Sequence, residues 1–237
     1  MALPNRTLRS LTAFGSQHLL LLCSDNDTHR YQLLQLNRQT RQIQSIKLAV
    51  SLGYGASFFR TERHVGIQNE KSILILATEG LPRIVDQINL DIGASVVQIT
   101  ALDADRVLCS HHAPNLLQVN LVSKEVVQLG HAEEWDNREA NISFVDRNKN
   151  IWIGTSRHGV LFHSSQAKPF VVRTCLDSDR CGRRENTMVM GFAQVGSELY
   201  VGSWSNGFPS IQALNDWKNI TPLRHSGTKT KDGQSQV

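Results

Sequence analysis

Five short polar clusters hold most of the side chains in this chain that could do chemistry: Asp25 to Thr28, Glu79-Gly80, His111-His112-Ala113-Pro114, Arg157-His158 and Trp204-Ser205-Asn206. They supply three histidines, three acids, an arginine and a tryptophan. A guanidinium grips a carboxylate or sulfate through paired hydrogen bonds, and an indole stacks on the face of a sugar. The set therefore suits a small polar molecule or a glycan. Taken singly, each residue reads equally well as solvated loop surface. His111, His112 and His158 with Glu79 could be counted as zinc ligands, but adjacent histidines have no particular ligand geometry and no metal is expected. The sequence carries no nucleophile elbow, phosphate loop or metalloprotease helix motif. The expectation is binding rather than catalysis, with no catalytic residue and no cofactor.

Four cysteines make no metal-binding spacing. Cys175 and Cys181 bracket a polar loop, CLDSDRC, and are near enough in sequence to close a small disulfide ring. Whether they do depends on an oxidising compartment, which leaves the pairing open. Cys23 and Cys109 fall on apolar runs and are expected to be buried packing residues.

The elements that would position these clusters repeat along the chain. Ile142 to Ser165, ISFVDRNKNIWIGTSRHGVLFHSS, reads as three short strands joined by the polar turn Asp146 to Asn150 and by a turn at Arg157, His158 and Gly159. Ile151 and Ile153 alternate with Trp152 and Gly154, the period of two of a strand. The middle of this unit, hydrophobic, small, then hydroxyl, recurs as Leu22-Cys23-Ser24, Leu76-Ala77-Thr78, Leu108-Cys109-Ser110, Ile153-Gly154-Thr155 and Val201-Gly202-Ser203. The hydroxyl positions step by 54, 32, 45 and 48 residues; a mean of about 45 matches a four-stranded propeller blade. A second echo runs from Leu33-Leu34-Gln35-Leu36-Asn37 to Leu116-Leu117-Gln118-Val119-Asn120, 83 residues on.

The run Phe144-Val145-Asp146 through Asn150-Ile151-Trp152-Ile153-Gly154-Thr155 to Gly159-Val160 resembles the two-component regulator propeller repeat. In that family an acidic residue precedes a short turn ending in glycine, then I-W-I-G-T and a paired glycine. Asn150 replaces the turn glycine, as asparagine can where left-handed backbone is needed, and His158 replaces the first paired glycine. Tyr200-Val201-Gly202-Ser203 with Gly207-Phe208 is a weaker copy. The resemblance implies a bacterial, periplasmic ligand-sensing domain acting on a histidine kinase or diguanylate cyclase signalling domain. It also implies that Trp152 packs between blades and that Gly154 admits a neighbouring backbone. Streptogramin lyase is built of similar repeats, so a lyase-type enzyme is the alternative, and a protein-interaction scaffold is a third reading.

These observations predict an all-β fold: a β-propeller of about five four-stranded blades over residues 1–225, with blades at about 7–48, 64–92, 96–130, 141–174 and 187–224. Residues 226–237 form a polar tail without an apolar face. Val50 to Arg63 reads as a connection, Ile73 to Thr78 as the second strand of the second blade, and Pro82 as an irregularity in its third. With four strands in the first blade and none in the tail, the ring is expected to be open or incomplete. The end blades would then expose Leu20 and Leu22 or Leu33 and some of Tyr200, Phe208 and Ile211, making the chain sticky, marginally stable, or a homodimer through those end faces. The chain has 237 residues, 40% of them hydrophobic, with a formal charge of +4. Its basic residues are scattered rather than gathered into a stripe with aromatics, so no nucleic-acid partner is expected. Arg6 and Arg9 ahead of Leu19 to Cys23 faintly suggest an export signal, but Gly15 to His18 interrupt the apolar run, and the segment reads as the first blade. Made as written, the chain would stay in the cytoplasm.

Overall fold

The structure is a computed structural model that describes residues 5–113, 115–130, 139–156, 159–164, 171–173, 187–196, 198–205 and 208–213. It is built from strands alone, with no helix among the described residues. Five antiparallel meanders follow one another. The first contains β1 (Arg6–Phe14), β2 (His18–Asp25), β3 (Tyr31–Asn37) and β4 (Ile43–Ile46); the second contains β5 (Ser57–Arg60), β6 (Val65–Asn69), β7 (Ser72–Leu76) and β8 (Ile84–Asn89). The third contains β9 (Val96–Ala101), β10 (Arg106–His111), β11 (Leu116–Asn120) and β12 (Val126–Leu129). The fourth contains β13 (Ala140–Val145), β14 (Ile151–Thr155), β15 (Val160–His163) and β16 (Val171–Arg173). The fifth shows β17 (Thr187–Val195), β18 (Glu198–Ser205) and β19 (Phe208–Ala213); the expected fourth strand at Trp217 to Leu223 lies outside the described residues. The first strands β1, β5, β9, β13 and β17 pack each against the next, which is the arrangement of propeller blades around an axis. No comparable contact joins β17 to β1 among the described residues.

The second blade departs from the sequence reading. Its first strand, β5, lies inside the stretch read as a connection, so the blade begins at Ser57 and its second strand is Val65–Asn69. Leu76-Ala77-Thr78 ends the third strand instead of the second, and Pro82 sits in the bend before β8. The irregular steps of 54 and 32 come from this misplaced copy; Ser24 and Ser110, 86 residues apart, are two blades apart. A three-residue pattern of apolar, small and hydroxyl fits the end of many buried strands. The 83-residue echo is a true structural repeat. Asn37 Oδ1 accepts from the Gln39 and Thr40 amides at 2.9 and 3.0 Å, and Asn120 Oδ1 from Val122 and Ser123 at 2.9 and 3.0 Å. Both turns close with a left-handed residue, Arg41 (φ 58°) and Lys124 (φ 62°).

Alternation along each strand sends neighbouring side chains to opposite blades. On β10, Val107 and Cys109 pack with Phe59, Ile73 and Ile75 of the second blade, while Leu108 packs with Ile151 and Ile153 of the fourth. Leu20, Leu22 and Leu33 pack with Ile67, Leu74 and Leu76 and are 0–1% exposed, so they are not the bare end face that the sequence suggested. The opposite face of the first blade carries Leu21, Cys23 and Leu34, all buried, beside exposed Leu8 and Leu11 on β1. On the fifth blade Met190 and Val195 are exposed and Tyr200 is half-buried, whereas the side chains of Phe208 and Ile211 lie outside the description.

The fourth blade explains its own motif. Asp146 Oδ1 accepts from the Asn148 and Asn150 amides at 2.8 and 2.9 Å, and Oδ2 accepts from Asn150 Nδ2 and Trp152 Nε1 at 2.9 and 3.0 Å. The left-handed residue of this turn is Lys149 (φ 64°), so Asn150 fills the glycine position through these bonds to Asp146 and not through left-handed backbone. Trp152 is 4% exposed and packs with Val160, Phe162, Val189 and Val201, between the fourth and fifth blades as expected. A Cβ on Gly154 would meet Val189 Cγ1 at 2.4 Å and Ile142 Cγ2 at 2.7 Å, so the glycine admits side chains rather than a backbone.

Gly154→Ala is expected to cost about 1–3 kcal/mol by overpacking. In the Val189→Ala background the added methyl should cost less, seen as a positive coupling in urea denaturation midpoints. Asp146→Ala, which leaves the indole N–H and two amides without their acceptor, is expected to lower stability by about 1–3 kcal/mol with little change in the denaturant slope.

Candidate functional site

In a four-stranded meander the first and third strands run one way and the second and fourth the other. The turns between second and third strands therefore gather on one face of the array, with the start of each first strand, and the other turns gather on the opposite face. Hydrogen bonds confirm the grouping. The Val96 amide donates to Glu70 O at 2.8 Å and the Ala140 amide to Ala113 O at 3.3 Å, tying these turns to the start of the following blade.

Three of the five sequence clusters meet this description at described residues. Asp25 to Arg30 form the turn of the first blade; Asp25 Oδ1 accepts from the Asp27 amide at 3.1 Å, the Thr28 amide at 2.8 Å and the Thr28 hydroxyl at 2.9 Å. The Thr28 amide, and then its hydroxyl, hold the Asp25 carboxyl below the usual carboxylate range. Thr7 Oγ1 donates to Asn26 Oδ1 at 2.7 Å, and the Asn5 amide bonds Asp27. In the third blade His112 is exposed, with Nδ1 4.0 Å from Glu139 Oε2, and His111 is buried at the end of β10. Its Nε2 lies 2.7 Å from Asn115 Oδ1, and burial pushes its imidazole below the ordinary histidine value. Trp204 lies near the end of β18, opposite Met188 and Pro209. Arg157, His158 and Asn206 lie outside the described residues, as do Cys175 and Cys181.

Glu79 does not belong to the set. It lies between β7 and β8, a third-to-fourth connection, and thus on the opposite face. The equivalent turn in the second blade is Glu70-Lys71, both exposed, with Glu70 in left-handed backbone (φ 49°) and its side chain against Gly53. Sequence reasoning missed this pair because the second blade was entered one strand late. Five polar residues between two apolar runs, Gln68 to Ser72, were the available signal.

The two faces use charge differently. On the opposite face several acids are held in ion pairs: Asp105 with Arg63 at 3.0 Å and His64 at 2.9 Å, Asp103 with Arg106 at 2.6 Å, and Asp86 with Lys124 at 2.7 Å, while exposed Glu62, Glu79 and Glu125 enter none among the described residues. On the face of the second-to-third turns, Glu70, Lys71, His29 and Arg30 are exposed and enter no ion pair among the described residues. That face holds both donors and acceptors for a polar ligand. Among the described residues no group of three or more His, Cys, Asp or Glu is placed to hold a metal ion.

The chain is similar in fold to the WD40 domain of Neurospora crassa Pan2, with a TM-score of 0.63 and 10% identity, over 88% of this chain and 63% of that one. It is also similar to the extracellular domain of the putative hybrid two-component system BT3049 from B. thetaiotaomicron, with a TM-score of 0.55 and 14% identity, over 94% of this chain and 35% of that one. The fold is a β-propeller. The chain spans less than two thirds of the length of either structure. No family profile and no curated protein matches it.

Cys23 and Cys109 are free thiols, each 0% exposed, and fill the small position of the second strand in their blades. Burial raises the Cys23 thiol and pushes Cys109 up to about 12. A thiol with a raised pKa stabilises the fold fully below its unfolded value, near 8.5, and loses that contribution as pH climbs toward the folded value. Stability should therefore fall between about pH 9 and 12, and Cys109→Ala should flatten that fall; denaturant midpoints measured across this range test it.

Proposed function

We propose that this chain is a non-enzymatic sensing or binding propeller, which recognises a small polar molecule or glycan on the face of its second-to-third turns. One observation carries the reading: the adjacent second-to-third turns of the first two blades bring exposed His29, Arg30, Glu70 and Lys71 to that face, with none of the four in an ion pair among the described residues. The propeller-repeat pattern of Asp146 to Gly159 and the fold likeness to a sensor's extracellular domain support a role in bacterial signal transduction. In this reading the domain works outside the cytoplasmic membrane, and ligand binding alters how blades or a pair of copies pack, which sets the state of a kinase or cyclase domain. The exposed Leu8 and Leu11 of the first blade and Met190 of the fifth are the surfaces through which two copies would meet.

The WD40 likeness favours a second reading, a protein-interaction scaffold using the same face. A thermal-shift screen of neutral, carboxylated and sulfated sugars separates the two. A ligand at 100 times its dissociation constant should add about 2.7 kcal/mol of stability. Glu70→Ala and Lys71→Ala should abolish the shift without altering the unliganded midpoint. A shift that survives both variants removes the site, and the absence of any shift removes the small-ligand reading.

A further inference from the structure

Each blade interface carries a polar pin near its first strand. Between the first and second blades the Phe58 amide donates to Ser10 Oγ at 3.1 Å. Between the third and fourth, the Ser143 amide donates to Gln98 Oε1 at 2.8 Å, and Thr100 and Ser143 hydrogen-bond through their hydroxyls and the Ser143 carbonyl at 2.9 Å. Between the fourth and fifth, Asn141 Nδ2 donates to Val189 O at 2.6 Å. The pin between the second and third blades is incomplete. Gln68 Nε2 donates to Val96 O at 2.8 Å, but Gln68 Oε1 accepts nothing, and His111 Nδ1 also has no protein partner. Gln68 is 1% exposed and His111 4% exposed.

Strand alternation directs both side chains into the same interface. Val65 and Ile67 pack toward the first blade, so Gln68, on the alternate side of β6, points toward the third. Val107 and Cys109 pack toward the second blade, and His111 shares their side of β10. His111 is the register partner of Val96, the residue that Gln68 bonds; the bulge there skips Val97 on β9 and leaves the β10 alternation intact. Ser110, whose buried hydroxyl also has no partner, faces the fourth blade and lies outside this arrangement.

Chemistry then decides what the pair takes. Asn115 Oδ1 is an acceptor, so His111 Nε2 carries the proton and Nδ1 presents a lone pair. Gln68 Oε1 presents lone pairs as well. Two acceptors cannot satisfy each other, and leaving each buried costs on the order of 1–3 kcal/mol. We propose that Gln68 Oε1, His111 Nδ1 and the Val96 segment enclose a binding site for one small neutral molecule with two hydrogen-bond donors, a single water, which completes the pin between the second and third blades. Its closeness to His112 and to Glu70-Lys71 places it just beneath the polar face, yet it stands independently of the sensing reading.

The test is a crystal structure at near-atomic resolution with nitrogen-resolved NMR of the histidine rings, both on the full chain. The expected result is one ordered oxygen at about 2.7–3.2 Å from both Gln68 Oε1 and His111 Nδ1, a cross-peak from long-lived water to the His111 ring, and the ring proton on Nε2. A proton on Nδ1 donated directly to Gln68 Oε1 would overturn the proposal. So would an Nε2 proton with no shared oxygen, or an oxygen that touches only one of the two atoms.

Discussion

Every sheet in this protein has two apolar faces, and each must be covered by another sheet. That constraint produces the serial packing of blades. Ile67, Leu74 and Leu76 meet Leu20, Leu22 and Leu33 across one interface; Val107 and Cys109 meet Ile73 and Ile75 across the next. Burying one such Leu, Ile or Val is worth about 1.5–3 kcal/mol, and each interface buries several. Apart from the small cluster of Leu21, Cys23 and Leu34 on the first blade, the buried clusters span two blades, so stability is largely a property of neighbours.

Apolar cover is tolerant of sliding, because leucines and isoleucines pack acceptably in many registers. Directional bonds are not. The pins from Gln68 to Val96, Ser143 to Gln98 and Asn141 to Val189 cross the interfaces beside the first strands and set the relative position of consecutive blades. The Asp146 network does the same work within one blade: a single carboxylate holds two turn amides and the indole of Trp152, whose ring then packs against the fifth blade. Asp146 and Trp152, six residues apart, are thus two ends of one device.

The division of the turns between two faces follows from the same architecture. Turns on the side of Asp105 reach across to neighbouring blades, and their acids are occupied by Arg63 and His64. Turns on the side of Glu70 are tied by backbone, through Glu70 O to Val96 and Ala113 O to Ala140. Backbone ties leave the side chains of Glu70 and Lys71 unspent and available to a partner.

By itself the sequence determined the strand-only fold, the four-stranded period, and the burial of Cys23, Cys109 and Trp152. Those features rest on local alternation and turn residues, which a single strand or hairpin displays without its neighbours. The tertiary structure decided the rest. It moved the second blade's start to Ser57, because Ser57 to Arg60 becomes recognisable as a strand only when paired with Val65 to Gln68. That one-strand shift carried Glu79 to the opposite face and brought Glu70-Lys71 to the candidate site. It also buried Leu20, Leu22 and Leu33 against the second blade, because pleating sends alternate residues to opposite sides and only packing shows which side meets which neighbour. The convergence of Gln68 and His111, 43 residues apart, on one blade interface is of the same kind: each is an ordinary polar residue at the end of an apolar strand until two blades are set side by side.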